Sequence, residues 1–190
     1  MTEGQNLTEK GKIKNLNQKI KETIVDHPTV KKGISKLFPI FAAALFFVQC
    51  ESPHYYQELR STGGNWDKST PLDYEFEISD TAALYDFYLL SRNNNQYPYS
   101  NLYLITEFSN PAGDKFNDTL QYFLSFPDGE WIGNGNSLKE LFLLYRENIS
   151  FKDTGNYKLK VWQGMREDRL AGIEDLSLIV DKKAKDGKTK

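Results

Sequence analysis

The chain has a single cysteine, Cys50, at the end of a twelve-residue apolar run, Leu37–Val48, which follows Lys31, Lys32 and Lys36. The chemistry this arrangement offers is acylation. A basic segment stays on the cytoplasmic side, a short apolar segment enters the export machinery, and the cysteine at the cut site takes lipid on its sulfur. The run has the roughly 7–15 residues of a signal-peptide core and falls short of the ~20 needed to span a bilayer. Gln49 is larger than the residue such signals usually place before the cysteine. The other reading of such a run is a buried core helix with a stray thiol. Pro39 inside the run, the basic flank, and polar Glu51-Ser52-Pro53 after it favour the export signal. Cys50 is therefore the expected lipidation site, and the product a membrane-anchored lipoprotein of the cell envelope. Neither the membrane (inner or outer) nor the side it faces (periplasm or surface) can be read from the sequence.

The remaining reactive groups exclude much. Histidine occurs only as His27, ahead of the apolar run, and His54, four residues past Cys50. The body after them has none, which removes Ser-His-Asp and Cys-His catalysis and any His-ligated metal site. An acylated Cys50 leaves no thiol for a disulfide or redox role. Carboxylates remain. Asp114, Asp118, Asp128 and Glu130 sit in turns and supply the oxygen ligands calcium takes, but their spacing matches no calcium loop, so they read as solvated turn acids. Glu174 and Asp175, as a catalytic pair, would point to opposite faces of an extended strand. No catalytic residue, cofactor or metal is expected, and no enzyme activity.

Charge points the same way. The chain holds 24 Lys plus Arg and 26 Asp plus Glu; residues 1–49 take 8 and 4 of these, so the portion from Cys50 onward carries 16 − 22 = −6. A nucleic-acid binder would show a basic face instead. Aromatic rings are the other resource. Tyr97, Tyr99, Tyr103 and Trp131 could form a platform for sugar, although aromatics in strands more often pack the core. The segment Tyr97-Pro98-Tyr99-Ser100-Asn101 is aromatic yet falls between strands, so Tyr97, Tyr99 and Asn101 make the best candidate partner-binding loop.

The elements that position these groups read as strands. Residues 1–49 form the leader and signal peptide, with Ile13, Leu16, Ile20 and Ile24 at about helical spacing among lysines. Upstream start-site choice or a basic amphipathic surface helix would each account for its length. Residues 50–70 read as a lipidated tether and 71–180 as the β domain. The charged tail 181–190 lacks large apolar residues and is expected to be disordered. Within the domain, Leu72, Tyr74, Phe76 and Ile78 alternate with acids, and Tyr157, Leu159, Val161 and Gln163 with Lys158, Lys160 and Trp162. Leu84–Leu90 and Leu102–Phe108 add strands, Asn93-Asn94-Asn95 ending the first of them. Thr119–Phe126, extended Asn148–Phe151 and Leu176–Val180 follow. Leu138–Tyr145 suits either a short helix or a strand, and Pro127-Asp128-Gly129 a tight turn. About seven strands with frequent turns give an all-β, antiparallel β-sandwich. Asp153-Thr154-Gly155-Asn156-Tyr157 has the D-x-G-x-Y form of the immunoglobulin-like tyrosine corner, so an immunoglobulin-like sandwich is expected.

Four patterns occur in order: Tyr97-Pro98-Tyr99-Ser100-Asn101-Leu102-Tyr103-Leu104, then Pro127-Asp128-Gly129-Glu130-Trp131-Ile132-Gly133-Asn134-Gly135, then Tyr157 to Gln163 leading to Met165-Arg166, then Leu170-Ala171-Gly172-Ile173-Glu174-Asp175-Leu176. With the lipoprotein N-terminus, this set resembles the gliding-motility lipoprotein family GldH of Bacteroidetes, from Tyr56 to Val180. The resemblance implies a non-enzymatic envelope lipoprotein required for gliding motility. Its implied partners are other envelope proteins of the gliding and type IX secretion machinery. Only Cys50 carries over with a defined role. The alternative is a carbohydrate- or ligand-binding surface lipoprotein on the same sandwich.

Overall fold

A computed structural model describes residues 54–184, and Cys50, the expected lipidation site, and the leader lie outside the described residues. Among the described residues ten strands form: β1 (Tyr56–Ser61), β2 (Asn65–Asp67), β3 (Leu72–Ile78), β4 (Leu84–Asn94), β5 (Asn101–Ser109), β6 (Lys115–Phe123), β7 (Leu138–Ile149), β8 (Gly155–Gln163), β9 (Arg169–Ala171) and β10 (Ile173–Lys183). In β3 the buried residues alternate strictly with exposed ones, Leu72, Tyr74, Phe76 and Ile78 facing in. β7 resolves as a strand because Leu141, Leu143 and Tyr145 repeat at period two on its buried face.

Two four-stranded antiparallel sheets, ordered β1-β10-β4-β7 and β3-β8-β5-β6, share one core, with β2-β9 as a small flap. The expected all-β sandwich is what forms. Its strand order differs from the ABED and CFG sheets of an immunoglobulin domain. Leaving out the flap, the eight main strands are ordered as in a jelly roll, with the chain changing sheet at every step except β5 to β6. The tyrosine corner is present within this different topology: the Tyr157 hydroxyl donates to the Asp153 carbonyl at 2.8 Å, with Gly155 at φ +132° between them. Tyr157→Phe is expected to lower the unfolding free energy by about 0.5–1.5 kcal/mol in urea titration. An unchanged midpoint would mean that the hydroxyl contributes nothing.

The layers are stitched by rings and by side-chain hydrogen bonds between the sheets. Phe76 of β3 meets Phe87 of β4 at 5.5 Å, and Phe151 meets Tyr157 edge-on at 4.6 Å. The Tyr74 hydroxyl crosses the core to the Leu176 carbonyl at 2.7 Å.

Several boundaries depart from expectation. β1 and β2 form inside the segment read as tether. β1 lacks an apolar period, since Leu59 faces out, but it pairs with β10 along its whole length. The tail begins as strand: Asp181, Lys182 and Lys183 pair with Asp86, Tyr85 and Leu84, while residues 185–190 lie outside the description. β4 runs through Asn93 and Asn94 because β10 and β7 flank it and supply ladder partners on both sides. β6 stops at Phe123, and both Leu124 and Ser125 donate to the Ser100 carbonyl instead of continuing the strand. Asn148 is not extended. It has φ +55°, a conformation asparagine tolerates, and its N–H is held by the buried Asp86 carboxylate at 2.8 Å.

Candidate functional site

The sandwich has two ends. At one end gather the loops from β1 through β2 to β3, from β4 to β5, from β6 to β7, and from β8 through β9 to β10. The four motifs singled out in the sequence all contribute to this end. The loop between β4 and β5 opens with an Asx turn, Asn94 Oδ1 accepting from the Gln96 N–H at 2.7 Å. Tyr97 then turns inward. It is 3% exposed, and its hydroxyl donates to the Asn101 carbonyl at 2.6 Å. Burial pushes its phenol pKa well up, so it stays a neutral donor.

Three contacts bind the motifs to one another. Gly172, at φ +85°, lies against the backbone of Gln96 and Tyr97, and its carbonyl accepts from the Asn94 N–H at 2.8 Å. The Trp131 ring stands 6.4 Å from the Tyr97 ring, and Tyr99 packs edge-on at 5.8 Å. Met165 meets β5, its sulfur accepting from the Tyr103 N–H at 3.3 Å, and its carbonyl takes the Lys68 ammonium at 2.8 Å.

Pro127-Asp128-Gly129 forms the expected tight turn. The Gly129 N–H reaches the Phe126 carbonyl at 2.9 Å, with Gly129 at φ +86°. The glycines beyond it allow close backbone approach, since a Cβ on Gly135 would lie 1.9 Å from the Leu138 carbonyl oxygen.

Among the candidate loop residues, then, Tyr97 is a core residue, Asn101 begins β5 and serves as backbone acceptor, and Tyr99 is the ring left half-exposed. The Tyr99 hydroxyl donates to Glu167 at 2.8 Å, and this bond to a carboxylate raises its pKa. Pro98 and Ser100 beside it are exposed.

The remaining candidates separate. Tyr103 lies half-buried on the outer face of the β3-β8-β5-β6 sheet, away from the Tyr97 cluster, in register with Gln121. Asp114 closes the Asn110 turn, Asp118 pairs with Arg146, and Asp128 Oδ1 accepts from the Glu130 N–H at 3.2 Å. These acids do not gather into one group among the described residues. Asp175 is buried and held bidentately by Arg92, at 2.8 and 2.5 Å, whereas Glu174 turns to the Asn94 amide at 2.5 Å. Both acids thus fasten β10 to β4. The role of Arg92 was missed in the sequence because its partner lies 83 residues away.

The chain matches the family model described as GldH lipoprotein over residues 54–180. It is 37% identical to a "Gliding motility lipoprotein GldH homolog" of Christiangramia forsetii, over 76% of this chain and 90% of that protein. It is 34% identical to "Gliding motility lipoprotein GldH" of Flavobacterium johnsoniae, over 75% of this chain and 89% of that protein. Among solved structures it has a slight likeness to infectious bursal disease virus Gx strain, with a TM-score of 0.30 and 10% identity. That match covers 68% of this chain and 33% of the viral one.

Proposed function

We propose that this chain, which belongs to the GldH lipoprotein family, is a non-enzymatic envelope component of gliding motility that works by holding other proteins of the gliding and type IX secretion machinery. The family makes it a membrane-anchored lipoprotein of the cell envelope. The observation that carries the interaction role is the meeting of the motifs at one loop end. Residues far apart in the chain fasten four loops together there. The Tyr97 cluster fixes the loops, and Tyr99, Pro98 and Ser100 remain outside on a backbone already ordered. Such preorganisation lowers the entropy cost of binding.

Deleting the gene is expected to abolish colony spreading. Tyr99→Ala is expected to leave the domain folded at a cost of about 1 kcal/mol, since its ring is half-exposed. Loss of a buried aromatic contact at an interface costs about 2 kcal/mol or more, so capture of envelope partners in a pull-down should fall roughly tenfold or further. Normal spreading in the deletion strain would remove the motility role. Unchanged capture by the Tyr99 variant would move the contact elsewhere.

A second reading, binding of carbohydrate, has one observation in its favour. On the outer face of the β3-β8-β5-β6 sheet, exposed Phe123 is in register with Asn101, and half-buried Trp162 with Ile105. Rings beside amides suit a sugar face. A glycan screen with Trp162→Ala as control separates the two readings.

A further inference from the structure

The opposite end of the sandwich bears a cleft of about 530 Å³, between the β5–β6 and β7–β8 loops. Its floor is aromatic, with Phe87, Phe108, Phe151 and Tyr157, and Phe116 stands on its rim 56% exposed. The rim also carries Asn110, Asp114, Arg146, Lys152 and Asp153, charges of both signs. Nothing in the proposed function uses this end.

The strand register places the start of the described chain at this same end. Tyr56 pairs with Val180, Val180 with Phe87, and Phe87 with Arg146, one row running from the first strand to the cleft. Three interstrand steps make that row about 14–15 Å long. His54 lies just beyond the row, with Nδ1 2.8 Å from Asp181. Cys50 precedes His54 by four residues, which reach at most about 14 Å when fully extended. A lipid on Cys50 therefore cannot stand far from this end, whatever path the four residues take.

We propose that the cleft end rests on the lipid bilayer, with Phe116 on the cleft's rim entering the interfacial layer, so that the Tyr99 end points away from the membrane. The inference rests on the lipid anchor assigned to Cys50. The short reach from Cys50 supplies the proximity, and the exposed Phe116 ring beside the aromatic floor supplies a contact that water does not satisfy. Because the rim charges balance in sign, the contact should depend little on salt. The two ends then divide the work, one seating the domain on lipid and the other meeting proteins.

The test uses full-length lipidated protein in vesicles of phosphatidylethanolamine and phosphatidylglycerol. Phe116→Cys, Leu59→Cys and Asn95→Cys each introduce one free thiol for a fluorescent label, since the acylated sulfur of Cys50 does not react. Leu59 reports the outer face of the β1-β10-β4-β7 sheet, and Asn95 the far loop end. Shallow nitroxide lipids are expected to quench the label at 116 and spare the label at 95. Quenching at 59 in place of 116 overturns the proposal, because the domain then lies on its sheet face. A label at 116 shielded from iodide yet untouched by nitroxide overturns it too, because protein then covers the cleft. Mass spectrometry of the N-terminal peptide separates these results from failure of the anchor: an unacylated peptide removes the anchor and the inference with it.

Discussion

Gly172→Ala should be among the most damaging single-atom additions to this domain. A Cβ there would lie 2.2 Å from the Tyr97 nitrogen, 2.5 Å from its Cα and 2.8 Å from the Gln96 carbonyl carbon. All three are backbone atoms of a loop that Trp131 and the Ser100 carbonyl contacts already hold, so no flexible side chain can swing aside. Overpacking costs roughly 1–3 kcal/mol, and left-handed backbone adds about 1–2 kcal/mol for a residue with a Cβ. Together these approach the ~5–15 kcal/mol total stability of an ordinary domain. Gly63→Ala is the matched control. Gly63 has φ +68° but nothing within 4 Å of its would-be Cβ, so it carries only the backbone term. In urea titration the Gly172 variant should lose at least twice what the Gly63 variant loses, and partner capture should fall with it. Equal losses would show that close approach of the two motifs is not what Gly172 provides.

Cys50→Ala should release the protein from the membrane altogether. One acyl chain gives only marginal binding, an association constant of about 10⁴ per molar, whereas two or more give stable anchoring. A lipoprotein cysteine carries two or three, so removing its sulfur removes the whole anchor at once. Palmitate labelling should vanish and the protein should leave the membrane fraction. Retained label, or unchanged processing of the leader, would refute the assignment. The body from residue 54 onward is expected to stay folded. Loss of motility with an intact body would then be a loss of placement rather than of structure.

The β class was legible because alternation is a local property. Leu72–Ile78 and Tyr157–Gln163 each show their buried face within a few residues, and both strands stand where the alternation puts them. β1 was illegible for the opposite reason. Its pattern Tyr-Gln-Glu-Leu-Arg-Ser has no apolar period, and only pairing with β10 makes it a strand. The same long-range pairing carried β4 through two asparagines and β10 into a charged tail. The tyrosine corner shows where a motif stops being informative. Its hydrogen bond formed as the D-x-G-x-Y spacing implied, but five residues cannot specify strand order, and the order that formed is a jelly roll.

For the candidate loop, residue types gave the place but not the roles. Tyr97 and Tyr99 are the same residue two positions apart, yet one hydroxyl is sealed against Asn101 and the other reaches surface Glu167. Sequence alone determined the β architecture and the family, since each rests on residue identity or local spacing. Only the tertiary structure decided that the motifs meet at one end, that Arg92 clamps Asp175 across 83 residues, and that the chain enters the sandwich at the opposite end beside an aromatic cleft. Those facts depend on which strands pair and in what register, and that choice is made by burial summed over the whole chain.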